Sequence, residues 1–311
     1  MDRNVDACAR VSALVLTFNE EANIAACLES LQWASEVFVV DSFSTDSTVE
    51  IAESTGARVY QHAFENCAAQ WNWALENLPF SSEWVLVVDA DERIPKPLAR
   101  EIIRIVSNPD QECSGFYLKR RLWFIGRWLR HGGLYPTWIM RLFKRSAGRF
   151  GRYGVSEHFI LKGRAGYLQS PFEHCNDKPL SDWIQKHDRY AELEAREYVR
   201  GELATSRASS IAARFWGNQA ERKQWIKLRL WNRLPLLVRP FLFFFRNYIL
   251  KGGFLDGGEG FIYHVLWSFW ARFLIDVKIL EMRAKVGTAA SGVVIQEHTR
   301  AEVADSTENL H

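Results

Sequence analysis

Several common signatures are missing from this 311-residue sequence. Its five cysteines, Cys8, Cys27, Cys67, Cys113 and Cys175, are odd in number, and no two are spaced as CxxC. The pattern of a disulfide framework or a structural zinc site is therefore absent, and a reducing compartment is expected. The first ten residues are charged and carry no apolar signal core. No uninterrupted apolar run reaches the ~20 residues needed to cross a bilayer. The longest candidates are broken by Arg239, Arg246, Asp256 and Arg272. A cytoplasmic protein, soluble or peripheral, is the expectation. There is no GxGxxG after the first apolar run and no GxxxxGK[ST] anywhere, so neither glycine-loop phosphate motif is available. Charge of one sign is also lacking: 39 basic and 37 acidic residues leave a net +2, which gives no case for nucleic acid as a partner.

What is present is a regular alternation. Val11–Thr17 reads as a buried strand, followed by a helix opened by Glu20 and Glu21, whose charges suit a helix N-terminus. Val37–Val40 is a second strand ending at Asp41, Ala57–Tyr60 a third, and Trp84–Val88 a fourth ending at Asp89. Helices are expected over 47–55, 66–77 and 98–107. Short apolar strands alternating with helices predict an α/β fold with a parallel sheet covered on both faces. Right-handed crossovers bring all the strand C-termini to one edge. Thr17–Asn19, Asp41–Ser44 and Asp89–Asp91 then converge where open α/β sheets bind ligands. Beyond Gly115 the sequence turns to Gly, Arg and aromatics, with strand-like pieces at Phe116–Lys119 and Ile139–Lys144 that would extend the sheet in mixed fashion. A charged helix follows over Ser181–Glu202. Arg222–Leu250 reads as a bent basic-aromatic helix, Gly252–Gly260 as a glycine-rich turn and Phe261–Lys285 as another aromatic helix. The tail after Val286 is small and polar, with a disordered composition.

Asp89-Ala90-Asp91 is the strongest chemical feature. Two carboxylates one residue apart at a strand end can share Mg²⁺ or Mn²⁺, whose remaining coordination a diphosphate completes. They can equally end a strand and cap the next helix. Asp41 can accept from a base N–H or a ribose hydroxyl, or serve as a turn aspartate beside Ser42 and Ser44. Asp46, Ser47 and Thr48 read as a helix cap.

These residues resemble the family-2 inverting glycosyltransferases of the GT-A fold. The resemblance is carried by Thr17-Phe18-Asn19-Glu20-Glu21, Val39-Val40-Asp41-Ser42, Gln70–Ala74 and Val87-Val88-Asp89-Ala90-Asp91-Glu92, in order over the first third of the chain. It extends through Met140–Arg145 and Val155-Ser156-Glu157-His158 to the lipopolysaccharide-core subgroup, in which a His often stands where this chain has Ser156. The resemblance implies a nucleoside-diphosphate sugar donor, UDP-linked for preference. Thr17, Asn19, Glu20, Asp41, Gln70, Asp89 and Ala90 would line the donor site, with Asp91 as the principal metal ligand. It also implies a lipid-linked or lipopolysaccharide-core acceptor.

An inverting transfer needs one general base for the acceptor hydroxyl. Glu157 is the candidate, against a surface glutamate paired with Arg152. Arg141, His158 and His174 are candidate phosphate or acceptor contacts, and the histidines candidate metal contacts, set against structural roles. Eight basic residues lie between Arg222 and Lys251 beside Trp225, Trp231 and Phe241–Phe245. That composition suits the surface of an anionic membrane, here the inner face of the cytoplasmic membrane. Packing on the domain, or RNA, are the competing readings. The expected organisation is a catalytic domain over 1–178 (donor side 11–110, acceptor side 111–178), a helical extension over 179–285 and a tail over 286–311. A sugar-1-phosphate nucleotidyltransferase would need a basic glycine loop after the first strand, where this chain is acidic. A membrane-surface scaffold with a degenerate nucleotide pocket is the non-enzymatic alternative.

Overall fold

The computed structural model describes residues 9–153, 156–203 and 234–285; the side chains of Glu157 and His158, the basic residues Arg222–Arg233 and the tail lie outside the described residues. Two compact units emerge, one formed by Met1–Trp183 with Phe244–Val265, the other by Ile184–Phe243 with Leu266–His311.

In the first unit the parallel strands are β1 (Ala9–Thr17), β2 (Ala34–Asp41), β3 (Arg58–Gln61) and β4 (Trp84–Asp89). The helices between them are α1 (Ile24–Glu29), α2 (Thr48–Ser54) and α3 (Cys67–Asn77). After the two-residue β5 (Glu92–Arg93) and α4 (Lys96–Val106), the chain forms β6 (Cys113–Phe124), β7 (Arg127–Leu129) and β8 (Thr137–Lys144). These are followed by β9 (Gly148–Tyr153), β10 (Ser156–Leu161) and β11 (Arg164–Cys175). The main sheet runs β3-β2-β1-β4-β8-β6-β11-β5, with β7 on β6; β9 and β10 form a separate hairpin. Strand β8 is antiparallel to both β4 and β6, while β11 runs parallel to β6. This is a mixed α/β sheet flanked by helices, parallel in its first four strands as the sequence predicts.

Alternate residues of each strand feed opposite faces, as the pleat requires. Ala13, Val15, Val39, Leu86 and Val88 pack with α1 and α4 residues such as Leu28 and Ile102. Leu14, Phe38, Val40, Val85 and Val87 pack with Trp71 and Ala74 of α3 and Phe150 of β9. Burial on both faces explains why these strands read as continuous apolar runs. Helix α1 stops at Glu29, and by Ala34 the chain already pairs with β1. The open edge of β11 is bulged between Tyr167 and Pro171, and there the Glu101 carboxylate of α4 accepts the N–H groups of Gln169 and Ser170, both at 2.8 Å.

The glycine-rich stretch after Lys251 holds more than the expected turn, because its second half is helical. It forms a 3₁₀ turn (Gly253–Asp256) and a helix (Gly257–Tyr263). Gly257 (φ 71°) supplies the left-handed break between them, and Gly260 lets the helix close on the preceding turn, where a Cβ would meet the Gly253 carbonyl oxygen at 2.8 Å.

The second unit has its own small core of Ala191, Ala195 and Val199 from α5 (Leu180–Leu203) against Ile275 and Ile279. A buried Arg239–Asp276 pair anchors it, with the Leu237 N–H also donating to Asp276 at 2.8 Å. Among the described residues no helix is long and apolar enough to cross a membrane.

Candidate active site

The parallel half of the sheet delivers its polar strand ends to one edge. Thr17 pairs with Asp41 and Leu16 with Asp89 in the ladders, so the three loops start side by side. The β1 and β2 loops are then stitched together. Asn19, at φ 51°, donates its N–H to Ser44 Oγ (2.8 Å) and accepts from Thr45 N (2.8 Å) through Oδ1. Glu20 N donates to Thr48 Oγ1 at 2.7 Å. The cap of α2 comes from Asp46, which accepts from Thr48 N at 3.1 Å; Ser47 makes no side-chain cap bond.

Asp41 is fully buried. It accepts from Ser44 N (2.9 Å) and Ser44 Oγ, and from Gln61 Nε2 over a long 3.4 Å. Gln70, also buried, donates to Ser42 Oγ (3.1 Å) and the His62 carbonyl (3.0 Å). The buried Thr17 hydroxyl has no partner at all. An orphaned hydroxyl is a cost that a ligand can remove.

The acidic turn is held from the other side of the sheet. β5 pairs antiparallel with the end of β11, placing His174 opposite Glu92, and Cys175 N donates to the Asp91 carbonyl at 2.8 Å. His174 Nε2 thereby stands 3.6 Å from Asp91 Oδ2, and its Nδ1, 3.8 Å from Glu92, is buried without a hydrogen bond. Burial works against the imidazolium, but the Asp91 charge and the Glu92 carboxylate outweigh it and hold the His174 pKa above its ordinary value.

Arg141 of β8 reaches Asp89 Oδ2 at 2.5 Å and also pairs with Glu92. Burial alone would disfavour its charge, but the two carboxylates raise its pKa. Glu92, almost wholly enclosed, also accepts from Asp89 N at 3.0 Å. Its pKa is raised, chiefly by burial and against the pull of Arg141. Glu20 is raised in the same way, by burial first, although Asn23 (2.7 Å) and Lys178 Nζ (2.6 Å) both bind it.

The expected site residues Thr17, Asn19, Glu20, Asp41, Gln70, Asp89, Asp91, Arg141 and His174 thus share one edge. Ala90 is there too, but its side chain is buried in the core. The β10 register sets Glu157 opposite Arg152. Glu92 stands in the motif that carries the resemblance, but its pairing with Arg141 has no signal in the sequence; Asn23 binds Glu20 three residues away and Asn176 across the fold, and Lys178, which no motif in the sequence singles out, reaches Glu20 from 158 residues away.

Among the described residues no three His, Cys, Asp or Glu side chains converge as a ready-made metal cluster. Asp91 and His174 nevertheless fit a divalent ion bound with phosphate. The pair offers one hard oxygen and one imidazole nitrogen on the ligand edge, and Mg²⁺ or Mn²⁺ commonly takes one or two carboxylates plus substrate phosphates and water.

Residues 12–175 match the model of glycosyl transferase family 2. The lipopolysaccharide core biosynthesis glycosyltransferase LpsC of Rhizobium meliloti is 27% identical over 281 residues, covering 88% of this chain and 93% of that protein. Among solved structures, glucosyl-3-phosphoglycerate synthase of Mycobacterium tuberculosis, in complex with Mn²⁺, UDP and phosphoglyceric acid, is 19% identical with a TM-score of 0.42, over 67% of this chain and 83% of that one. The mannosyltransferase PcManGT of Pyrobaculum calidifontis, in complex with GDP-mannose and Mn²⁺, is 15% identical with a TM-score of 0.41, over 94% and 81%.

Proposed function

The chain belongs to glycosyl transferase family 2, and from that premise we propose that it moves a sugar, with inversion, from a UDP-sugar to a hydroxyl of a lipid-linked or lipopolysaccharide-core glycan. The observation that carries the reading is the convergence of Thr17, Asp41 and Asp89–Asp91 on one sheet edge, with His174 delivered to Asp91 by β11.

In this reading the nucleoside end of the donor meets the β1–β2 loops. Thr17 Oγ1 finds its missing partner there, and the long Gln61–Asp41 contact is the one a base N–H would replace. Asn19 and Gln70 keep the two loops in place, and Asn23 and Lys178 hold Glu20 beside them. Asp91 and His174 would hold Mg²⁺ or Mn²⁺, with Asp89 as second carboxylate. The ion would offset the charge growing on the leaving diphosphate. Arg141, fixed by Asp89 and Glu92, adds positive charge to the same end. The acceptor oxygen bonds to the anomeric carbon as the carbon–diphosphate bond breaks from the opposite face. Glu157 takes the acceptor proton.

The catalytic domain is residues 1–178, followed by a helical extension. An anionic membrane surface is the proposed setting. Phe245, Ile249, Leu250, Phe254, Phe261 and Ile262 are all exposed, a patch too apolar to be incidental, and Arg246 and Lys251 add charge beside it. Burial first, and then Arg246, lower the Lys251 pKa. Vesicles rich in phosphatidylglycerol are expected to pull the protein down, less so at high salt; equal binding to neutral vesicles would remove the electrostatic part.

The test of the donor site is thermal stability of wild type and Asp91→Asn with UDP, GDP or CMP, with and without Mn²⁺. At 100 times its dissociation constant a ligand stabilises by about 2.7 kcal/mol. UDP is expected to stabilise only with the ion, and only in wild type. No nucleotide effect in wild type would sink the reading. Glu157→Gln should bind donor and lose transfer; full activity would assign the base elsewhere.

A further inference from the structure

A cavity of about 490 Å³ lies where β6 and β7 meet the 3₁₀ turn of Gly253–Asp256. Its walls include Trp123, Arg127, Trp128, Arg130, His131 and Asp256. Asp256 is buried and both of its carboxylate oxygens accept hydrogen bonds. Oδ2 takes the N–H groups of Arg130 (2.9 Å) and His131 (2.8 Å), and Oδ1 takes His131 Nδ1 (2.7 Å). Glu173 is likewise used up, by Arg121 at 3.2 Å and by the Trp123 indole N–H.

The donors are not used up. Among the described residues the Arg130 guanidinium meets no carboxylate; it rests on Trp128, 4.2 Å from the ring centroid. Arg127, itself half-exposed, pairs with Glu259 at 3.4 Å. A pocket that presents two guanidinium groups, Arg127 and Arg130, the second without a carboxylate among the described residues, suits oxygens that carry negative charge. The indoles supply flat apolar faces of the kind that sugar rings cover. Asp256 fixes the His131 ring through Nδ1.

We propose that this cavity binds a saccharide bearing a phosphate or carboxylate group, as part of the acceptor glycan. Naming a saccharide rests on the glycosyl-transfer reading above; the demand for an anion does not. Leu255 lines the cavity and is itself exposed next to Phe254, so the mouth adjoins the apolar patch. A glycan carried on a lipid would reach the pocket without its anchor leaving the membrane.

The test uses the full chain and its tryptophan fluorescence, titrated at constant ionic strength with glucose 6-phosphate, glucuronate, glucose and inorganic phosphate. The two anionic sugars should quench saturably and bind at least about tenfold more tightly than glucose or phosphate. Arg130→Gln should weaken them about tenfold. Arg127→Gln, which removes the other guanidinium on the cavity wall, should weaken them too while leaving the melting temperature nearly unchanged, since its ion pair with Glu259 is exposed. Absence of saturation, parity with glucose or phosphate, or indifference to both variants would overturn the proposal. Competition by phosphatidylglycerol vesicles that depends on Arg130 would assign the cavity to a lipid headgroup instead, and overturn it as well. The Mn²⁺–UDP melting shift is measured in parallel. Anionic-sugar binding without that shift sinks the donor reading and keeps the pocket; the shift without anionic-sugar binding does the reverse.

Discussion

Replacing Arg141 by Met should cost about 3 kcal/mol, the low end of the roughly 3–5 expected for breaking a buried ion pair. The Glu92 side chain is 2% exposed and that of Arg141 10%, so little solvent is available to screen the abandoned carboxylate. The low end applies because Glu92 keeps the Asp89 N–H at 3.0 Å and His174 nearby. Asp89 adds little, since its side chain is 45% exposed and its half of the network is worth at most about 1 kcal/mol. The cost should be largely repaired by a second change. Glu92→Gln in the Arg141→Met background removes the stranded charge but keeps an oxygen for Asp89 N, and about 2 kcal/mol should return. Urea unfolding followed by tryptophan fluorescence reads both variants. If Arg141→Met lies within about 1 kcal/mol of wild type, or if the two losses simply add, the network is not the enclosed charge pair described here.

Three further outcomes follow from the geometry. Burial pushes the Cys175 thiol up to about 11, so at pH 8 about one molecule in a thousand carries the thiolate, against about one in four for an ordinary thiol. Iodoacetamide should label Cys175 slowly at pH 8 and about tenfold faster per pH unit above it, as read by peptide mass spectrometry; fast, pH-independent labelling would refute this. Gly258→Ala meets nothing within 4 Å in its helix and should stabilise by about 0.5 kcal/mol, whereas Gly260→Ala drives a Cβ into the Asp256 Cβ and the Gly253 carbonyl and should destabilise. Thermal melts separate the two. Asn66→Ala removes the bond from Ala69 N (2.9 Å) that caps α3 and should cost about 1 kcal/mol in the same assay.

The parallel half of the fold was legible because its strands are buried on both faces and therefore spell themselves as apolar runs. The ends of those runs located Asp41, Asp89 and Asp91, since parallel topology leaves one edge for all of them. The antiparallel half was legible only in fragments. β6 reads Leu118-Lys119-Arg120-Arg121-Leu122, and no periodicity reveals that Arg121 lies against an indole while Leu122 is core. Nothing local marks Glu92 as buried, because its partner Arg141 arrives from β8. Asp256 sat among glycines that suggested a loop. Its binding to residues 125 and 126 positions earlier in the chain has no local trace.

The Glu101 carboxylate on the bulged edge of β11 has a consequence for behaviour in concentrated solution. Strands with bare N–H groups recruit other strands, and edge-to-edge growth is how sheets become aggregates. Here Glu101 occupies two such N–H groups, and the bulge with Pro171 breaks the flatness that a foreign strand would need. Burial works against the Glu101 charge, but the bonds from Gln169 and Ser170 outweigh it and lower its pKa. Its hold on the edge is therefore complete above the ordinary glutamate range and is lost as pH falls through the lowered value. Acidification should turn a guarded border into an open one, and light scattering should rise there, earlier for Glu101→Gln than for wild type. The carboxylate thus contributes colloidal stability, a property set at the rim of the sheet and independent of the sugar chemistry at its ligand edge.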